Sequence, residues 1–262
     1  MQPWIDAVGR QHAAVASTDA RIVSLVPSVT ELLCELGLSA QLVGRTGFCI
    51  HPAQQVAHIP KIGGTKDVNI AKIRQLAPTH LVVNIDENEK PTVDALAEFI
   101  PHIIVTHPNC PADNLDLYRL LGGVFGVGHR AEQLCAQFQQ ELDLFLPVPA
   151  APVQRVLYCI WQDPRMTVSR DTYIARMLEL KGWQQWQAAT LGRRYPEFAW
   201  TPELLDDIDC VLLSTEPYRF SEAHVDVLEK QTGKPVMLVD GEMLSWYGSR
   251  AISGLRYLRS LA

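Results

Sequence analysis

From Arg21 onward the apolar positions fall into short runs that do not alternate with polar ones. Arg21-Ile22-Val23-Ser24-Leu25-Val26 is the first, and Leu42-Val43-Gly44, Leu81-Val82-Val83 and Ile103-Ile104-Val105 follow. Runs without alternation are what strands covered on both faces of a parallel sheet require. Between them lie segments with helical spacing: Leu32, Leu33 and Leu36 before Gly37, Asn69 to Leu76 before Pro78, Pro91 to Phe99, and Leu115 to Leu121. Ser28-Val29-Thr30-Glu31 has the form of a capping box at the start of the first helix. Strand, turn and helix recurring in this order predict an α/β lobe, with order beginning at Arg21.

Gly128 to Phe145 differs from the rest. Ala131, Leu134, Cys135, Phe138, Leu142 and Phe145 lie three or four apart, which predicts one long amphipathic helix. Pro147, Pro149 and Pro152 then end any helix. Such a helix is either a rigid strut between lobes or an outer helix of the first lobe. A second α/β series follows. Its strands are predicted at Arg155–Ile160, Cys210–Leu213 and Val236–Val239, and its helices at Thr172–Leu180, Thr201–Asp206, Ser221–Gln231 and Ser249–Leu261. The division expected from this pattern is an extension at 1–20, a lobe at 21–127, the helix at 128–146 and a second lobe at 147–262.

A chain of 262 residues with 47% hydrophobic and 20% charged residues has the composition of a globular protein able to build two cores. The net charge of −6 argues against a nucleic-acid partner or an anionic membrane surface. Six scattered cysteines without a CxxC pair read as buried thiols. The opening twenty residues are broken by Asp6, Arg10, Gln11 and His12, whereas a secretory leader needs an apolar stretch of about 7–15 residues. No later run reaches the roughly 18 apolar residues of a membrane span. These readings favour a cytoplasmic address without membrane insertion, with a periplasmic one as the alternative.

In open α/β sheets, ligands gather beyond the carboxyl ends of the strands. Here those turns hold Phe48-Cys49-Ile50-His51, Gly63-Gly64-Thr65, the acidic loop Asp86 to Glu89, Trp161, Tyr218, and Asp240 to Arg250 with Trp246 and Tyr247. Aromatic and polar side chains in this mixture suit a small-molecule cleft. Cys49 and His51 are candidate metal ligands, but two residues do not make a site and loop packing is the plainer reading. Gly63-Gly64-Thr65 lacks the lysine of a phosphate loop and reads as a turn. GxSxG and HExxH patterns are missing, so no catalytic residue is nominated and the chain is not read as an enzyme.

Arg21 to Leu32, Val43-Gly44, Gly63-Gly64 with Asn69-Ile70, and Leu76 to Val83 together resemble the helical-backbone solute-binding proteins of ABC importers for vitamin B12, haem and ferric siderophores. The likeness is strongest to the B12-binding branch, and Phe48 to Pro52 and Asp240 to Arg250 look like a subgroup of metal or cobalamin receptors. The resemblance implies two α/β lobes with central parallel sheets, joined by one long backbone helix, with the ligand cleft between them. It thereby favours the strut reading of Gly128 to Phe145. It implies a metal-containing cargo (cobalamin, haem or a ferric siderophore), no intrinsic cofactor, and an ABC permease as partner. Ligand-lining positions are then Phe48, Thr65, Trp161, Tyr218, Trp246, Tyr247 and Arg250, with Thr65 standing where B12 binders carry a tryptophan. Glu203 matches one of two glutamates that meet the permease; the other falls on Ala71, with Asp67 nearby as a substitute. The alternatives are a cytoplasmic enzyme, chaperone or sensor of corrinoid or metal metabolism on the same fold.

Overall fold

The computed structural model describes residues 4–145, 153–187 and 192–261, and the chain divides into two compact α/β units. Pro147, Pro149 and Pro152 lie outside the described residues.

The first unit comprises Met1–Pro108, Ala112–Phe138 and Tyr247–Arg250. It opens with a hairpin of β1 (Trp4–Ile5) and β2 (Gln11–His12), followed by β3 (Ile22–Ser24), α1 (Pro27–Glu35), β4 (Leu42–Arg45) and α2 (Ala53–Val56). Then come α3 (Ile70–Gln75), β5 (His80–Asn84), α4 (Lys90–Ala97), β6 (His102–Thr106), α5 (Asp113–Val124) and the start of α6 (Gly128–Asp143). The sheet has the order β4-β3-β5-β6, parallel throughout. All five residues of β5 are buried, which is why its sequence shows no alternation. Val23, Leu25, Ile73, Leu81, Leu96 and Ile103 pack together in the core. The first half of α6 is buried through Ala131, Leu134, Cys135 and Phe138. Gly122 makes room for it, since a Cβ there would stand 2.3 Å from the Ala131 methyl.

Two expectations are corrected. Order begins before Arg21: the hairpin docks on β6, the edge strand, with the Ala7 amide donating to the Val105 carbonyl at 2.9 Å. Asp6 is buried and accepts from the amides of Val8, Arg10 and Val105 and lies 3.1 Å from His12 Nε2. Nor does Ser28 cap α1. The helix starts at Pro27, whose missing N–H suits the first turn, behind an extended Val26. Ser28 therefore sits inside the helix with a buried hydroxyl, and Glu31 is engaged elsewhere.

The second unit comprises Asn109–Pro111, Gln139–Trp246 and Ala251–Ala262. It holds β7 (Gln154–Gln162), β8 (Arg165–Thr167), α7 (Tyr173–Glu179), β9 (Trp183–Gln185), α8 (Pro202–Asp207) and β10 (Cys210–Ser214), then α9 (Glu222–Thr232), β11 (Val236–Val239), α10 (Gly241–Ser245) and α11 (Arg250–Ser260). Thr172 and Thr201 cap α7 and α8 through their hydroxyls, and Gly233 ends α9 at φ +67°. The end of α6 is held to α11 by Glu141, paired with Arg256 at 2.7 Å and Arg259 at 3.1 Å.

The sheet runs β11-β10-β7, and the far edge of β7 is shared. β9 pairs in parallel with Gln154 to Val156, while β8 pairs antiparallel with Cys159 to Gln162. Where the edge changes partner, the buried Gln185 side chain fills the gap. Its Oε1 accepts from the Tyr158 amide at 3.0 Å, and its Nε2 donates to Thr167 Oγ1 at 2.9 Å. An amide side chain thus replaces a missing ladder position.

At the amino end of the first unit's sheet, His80 is buried and stacks on His102 at 4.7 Å. Burial, then the His102 and His12 charges, lowers its pKa to about 4. Between about pH 6.5 and 4 the unfolded chain therefore binds a proton that the folded chain does not, so stability falls as pH falls through that window. Replacing His80 with Phe is expected to flatten the decline. Melting temperatures measured from pH 7 to pH 4 check this; an equal decline in wild type and variant refutes it.

Candidate functional site

The carboxyl edge of the first sheet is built around Arg45, the last residue of β4. Its guanidinium is buried, with Nε donating to the Val56 carbonyl at 2.8 Å and Nη1 to those of Cys49 (2.9 Å) and Thr46 (3.2 Å). Cys49 is fully buried, its Sγ 3.1 Å from the hydroxyls of both Thr30 and Thr46. Burial raises the pKa of this thiol, which keeps it protonated. The turn is thus pinned from inside, and Phe48 projects from it 63% exposed. Ile50 on the same turn and Ile85 after β5 are exposed as well. β4 and β5 flank β3, about 10 Å apart by ordinary strand spacing. Three large apolar side chains in water on one edge are unusual for a surface with no ligand to meet.

The neighbouring turns are tied by side-chain amides. Asn88 accepts from the Asn84 amide at 2.9 Å and donates to the Thr65 carbonyl at 2.9 Å, which fixes Thr65 through its backbone. Gly64 spends its amide on the Asp67 carbonyl at 2.7 Å, and Gly63 takes φ +111° where a Cβ would meet that same oxygen. Gly63-Gly64-Thr65 is therefore a closed turn with Asp67 exposed beside it. In the acidic loop, Asp86 lies 3.5 Å from His107 Nε2, and Glu87 accepts from the Tyr247 hydroxyl at 2.6 Å. Among the described residues, no group of three or more His, Cys, Asp or Glu is placed to hold a metal ion, Cys49 and His51 included.

Tyr247 to Arg250 is bound into this unit. Tyr247 is buried, the Gly248 amide donates to Asn114 Oδ1 at 2.7 Å, and Tyr118 donates to the Gly248 carbonyl at 2.8 Å. Arg250 makes a two-pronged pair with Glu31, each arm 2.8 Å. Its charge, read from the sequence as one for the ligand, is met by a partner within the unit.

At the carboxyl edge of the second sheet, Trp161 is 37% exposed and meets Tyr218 edge-on at 5.6 Å. Its indole donates to the Asp163 carbonyl at 3.0 Å, and Tyr218 leans on Phe220 at 4.7 Å. Trp246 is buried instead. Its Nε1 donates to Glu216 at 2.7 Å, and Ser245 donates to the same carboxylate oxygen at 2.8 Å. Burial raises the Glu216 pKa, against which these two hydrogen bonds act. Glu203 stands exposed in the first turn of α8, its pKa lowered by its own backbone amide and the Thr201 hydroxyl.

Of the residues singled out in the sequence, the structure brings Trp161 and Tyr218 together and sets Phe48 beside Ile50. It buries Trp246 and Tyr247, each satisfied by a carboxylate. Arg45 was missed, and Glu31 was read as a capping-box residue rather than as the partner of Arg250. A lone arginine between Gly44 and Thr46 after an apolar run was the available signal for Arg45; nothing local marks the pairing of Glu31 with Arg250 or of Glu216 with Trp246.

The profile of the family described as "Periplasmic binding protein" matches residues 22–200, more than half of the chain. This chain belongs to that family. A periplasmic binding protein is a solute-binding protein, and the cytoplasmic address expected from the sequence is overturned by this membership. Of the opening twenty residues read for a leader, 4–20 belong to the folded first unit.

Among proteins similar to this binding protein is the uncharacterised ABC transporter substrate-binding lipoprotein YvrC of Bacillus subtilis. It is 26% identical over 185 residues, covering 67% of this chain and 58% of YvrC. The chain thus matches less than two thirds of that relative's length. Solved structures with the same fold include the vitamin B12 binding protein BtuF of Vibrio cholerae, with a TM-score of 0.73 and 19% identity over 92% of this chain and 96% of that one. A periplasmic haem-binding protein of Pseudomonas aeruginosa gives a TM-score of 0.74 and 20% identity over 93% and 94%. These likenesses establish two α/β lobes with central parallel sheets. No helix among the described residues is long and apolar enough to cross a membrane.

The pinned turn gives a test. Arg45→Met removes three guanidinium hydrogen bonds, leaves the Cys49 carbonyl without its donor and the Val56 and Thr46 carbonyls with one backbone donor each, and should destabilise the protein by about 2 kcal/mol or more. Denaturant unfolding measures this; a change within about 0.5 kcal/mol would show that the turn holds without Arg45.

Proposed function

We propose that this periplasmic binding protein is the substrate-binding component of an ABC importer, acts outside the cytoplasm, and carries a metal-containing small molecule. The supporting observation is the pair of aromatic edges. Phe48, with Ile50 and Ile85, stands exposed on a turn locked by Arg45, and Trp161 stands exposed against Tyr218. Rigid aromatic surface of this kind suits a large, partly apolar ligand such as a corrinoid, a haem or a ferric siderophore. In each of these the metal arrives already chelated. The chain binds its cargo without turning it over.

Thr65, Tyr218, Trp246, Tyr247 and Arg250 are proposed to line the ligand with Phe48 and Trp161, Trp246, Tyr247 and Arg250 being held in place by Glu216, Glu87 and Glu31. Glu203, ionised and exposed at a helix start, and Asp67, exposed on its turn, are proposed to meet basic groups of the permease.

Native mass spectrometry after incubation with cobalamin, haem and ferric siderophores should give a one-to-one complex with one of these classes. Phe48→Ala should then weaken that complex by more than about tenfold while the fold survives. Failure to bind any of the three, or an affinity indifferent to Phe48, overturns the assignment.

A further inference from the structure

A separate cavity lies inside the second unit, on the face of the sheet that α9 covers. Its volume is about 390 Å³, within the range of roughly 300–1,000 Å³ usual for small-molecule pockets. The floor is Cys159 and Leu213, mid-strand residues of β7 and β10, and the walls include Phe198, Trp200 and Phe220. Trp161 touches it from the carboxyl edge, and Val227 of α9 stands 62% exposed at its mouth.

Gln162 and Gln231 bring amides, able to donate or accept, to the lining of this cavity, and the remaining polar side chains there offer donors. The indole Nε1 of Trp200 is buried, and among the described residues no acceptor meets it. Indole N–H groups ordinarily find a partner when buried, so this donor stands open to an acceptor from beyond the described residues. His224 adds a second donor. The Ser221 amide, which can only donate, approaches His224 Nδ1 at 3.1 Å, so Nδ1 accepts and Nε2 carries a proton. Arg165 brings a guanidinium, again donor-only, to the lining.

We propose that this cavity is a second binding site, built for a small flat aromatic acid whose ring lies among Phe198, Trp200 and Phe220 and whose carboxylate accepts from Trp200, His224 and Arg165. An apolar enclosure with donors and few acceptors selects against amines and favours an anion with a hydrophobic body. The site is distinct from the proposed cargo surface in using the flank of the sheet rather than its edge. Trp161, which borders both, is the residue through which occupancy of one would reach the other.

Calorimetric titration of the full chain with indole-3-acetate, and with indole as the acid-free control, tests this. Indole-3-acetate should bind one-to-one, and indole at least about tenfold more weakly, which corresponds to about 1.4 kcal/mol. Trp200→Phe, which keeps the ring and removes the donor, should bring the acid down toward indole. Val227→Trp, a change at an exposed position, should block the mouth and abolish binding of both probes while complexes at the aromatic edge persist. No binding of indole-3-acetate, equal affinity for acid and indole, or binding untouched by Val227→Trp overturns the proposal. Should Trp200→Phe fail to fold, the Val227→Trp result decides alone.

Discussion

Both sheets are hydrogen-bonded mainly in parallel, and a parallel sheet needs helices over both faces because its connections cross back over it. From that constraint the rest follows. β5 and β10 bury every residue, so the middle of each strand is spent on the core and has nothing to offer a ligand. Chemistry is left to the ends, and at the carboxyl ends the chain must turn outward before the next helix. Phe48, Ile85 and Tyr218 stand on those turns, and Trp161 on the last but one residue of β7. Their exposure is a consequence of where a buried strand runs out.

What makes those turns rigid is a set of buried polar groups matched almost completely. Arg45 is satisfied by backbone carbonyls, Gln185 by a strand amide and a threonine, and Glu216 by a hydroxyl and an indole. Each would be costly if a single partner were lost. A binding surface set on such groups gains order before the ligand arrives, so less entropy is given up on binding. Arg250 and Glu31 belong to the same pattern: a charge pair of moderate exposure that fixes the segment after Trp246 rather than reaching for cargo.

Strand positions were legible because the parallel sheet writes itself as unbroken apolar runs; Val236–Val239 was read to the residue. Helix starts were legible where a threonine side chain caps, as at Thr172 and Thr201, and misread at Ser28, where proline allowed an earlier start. β8 and β9 escaped notice because three-residue strands on a shared edge leave no periodicity. The aromatic turns were visible as composition, but composition does not say which aromatic faces water. Trp246 and Tyr247 read the same as Trp161 and Tyr218 until Glu216 and Glu87, distant in sequence, are seen to hold them.

The hairpin before Arg21 has a bearing on self-association. The outermost strand of a parallel sheet is a template on which a foreign chain can grow, and here β6 is that strand. Three of its outward groups are already consumed: the Val105 amide by the Asp6 carboxylate, the Val105 carbonyl by Ala7, and the Ile103 carbonyl by Arg10. Because one of these stoppers is a side-chain carboxylate, the pairing cannot be propagated by another strand laid alongside. A short, easily overlooked hairpin thus works as a terminator of β-assembly, keeping the sheet from recruiting its own kind.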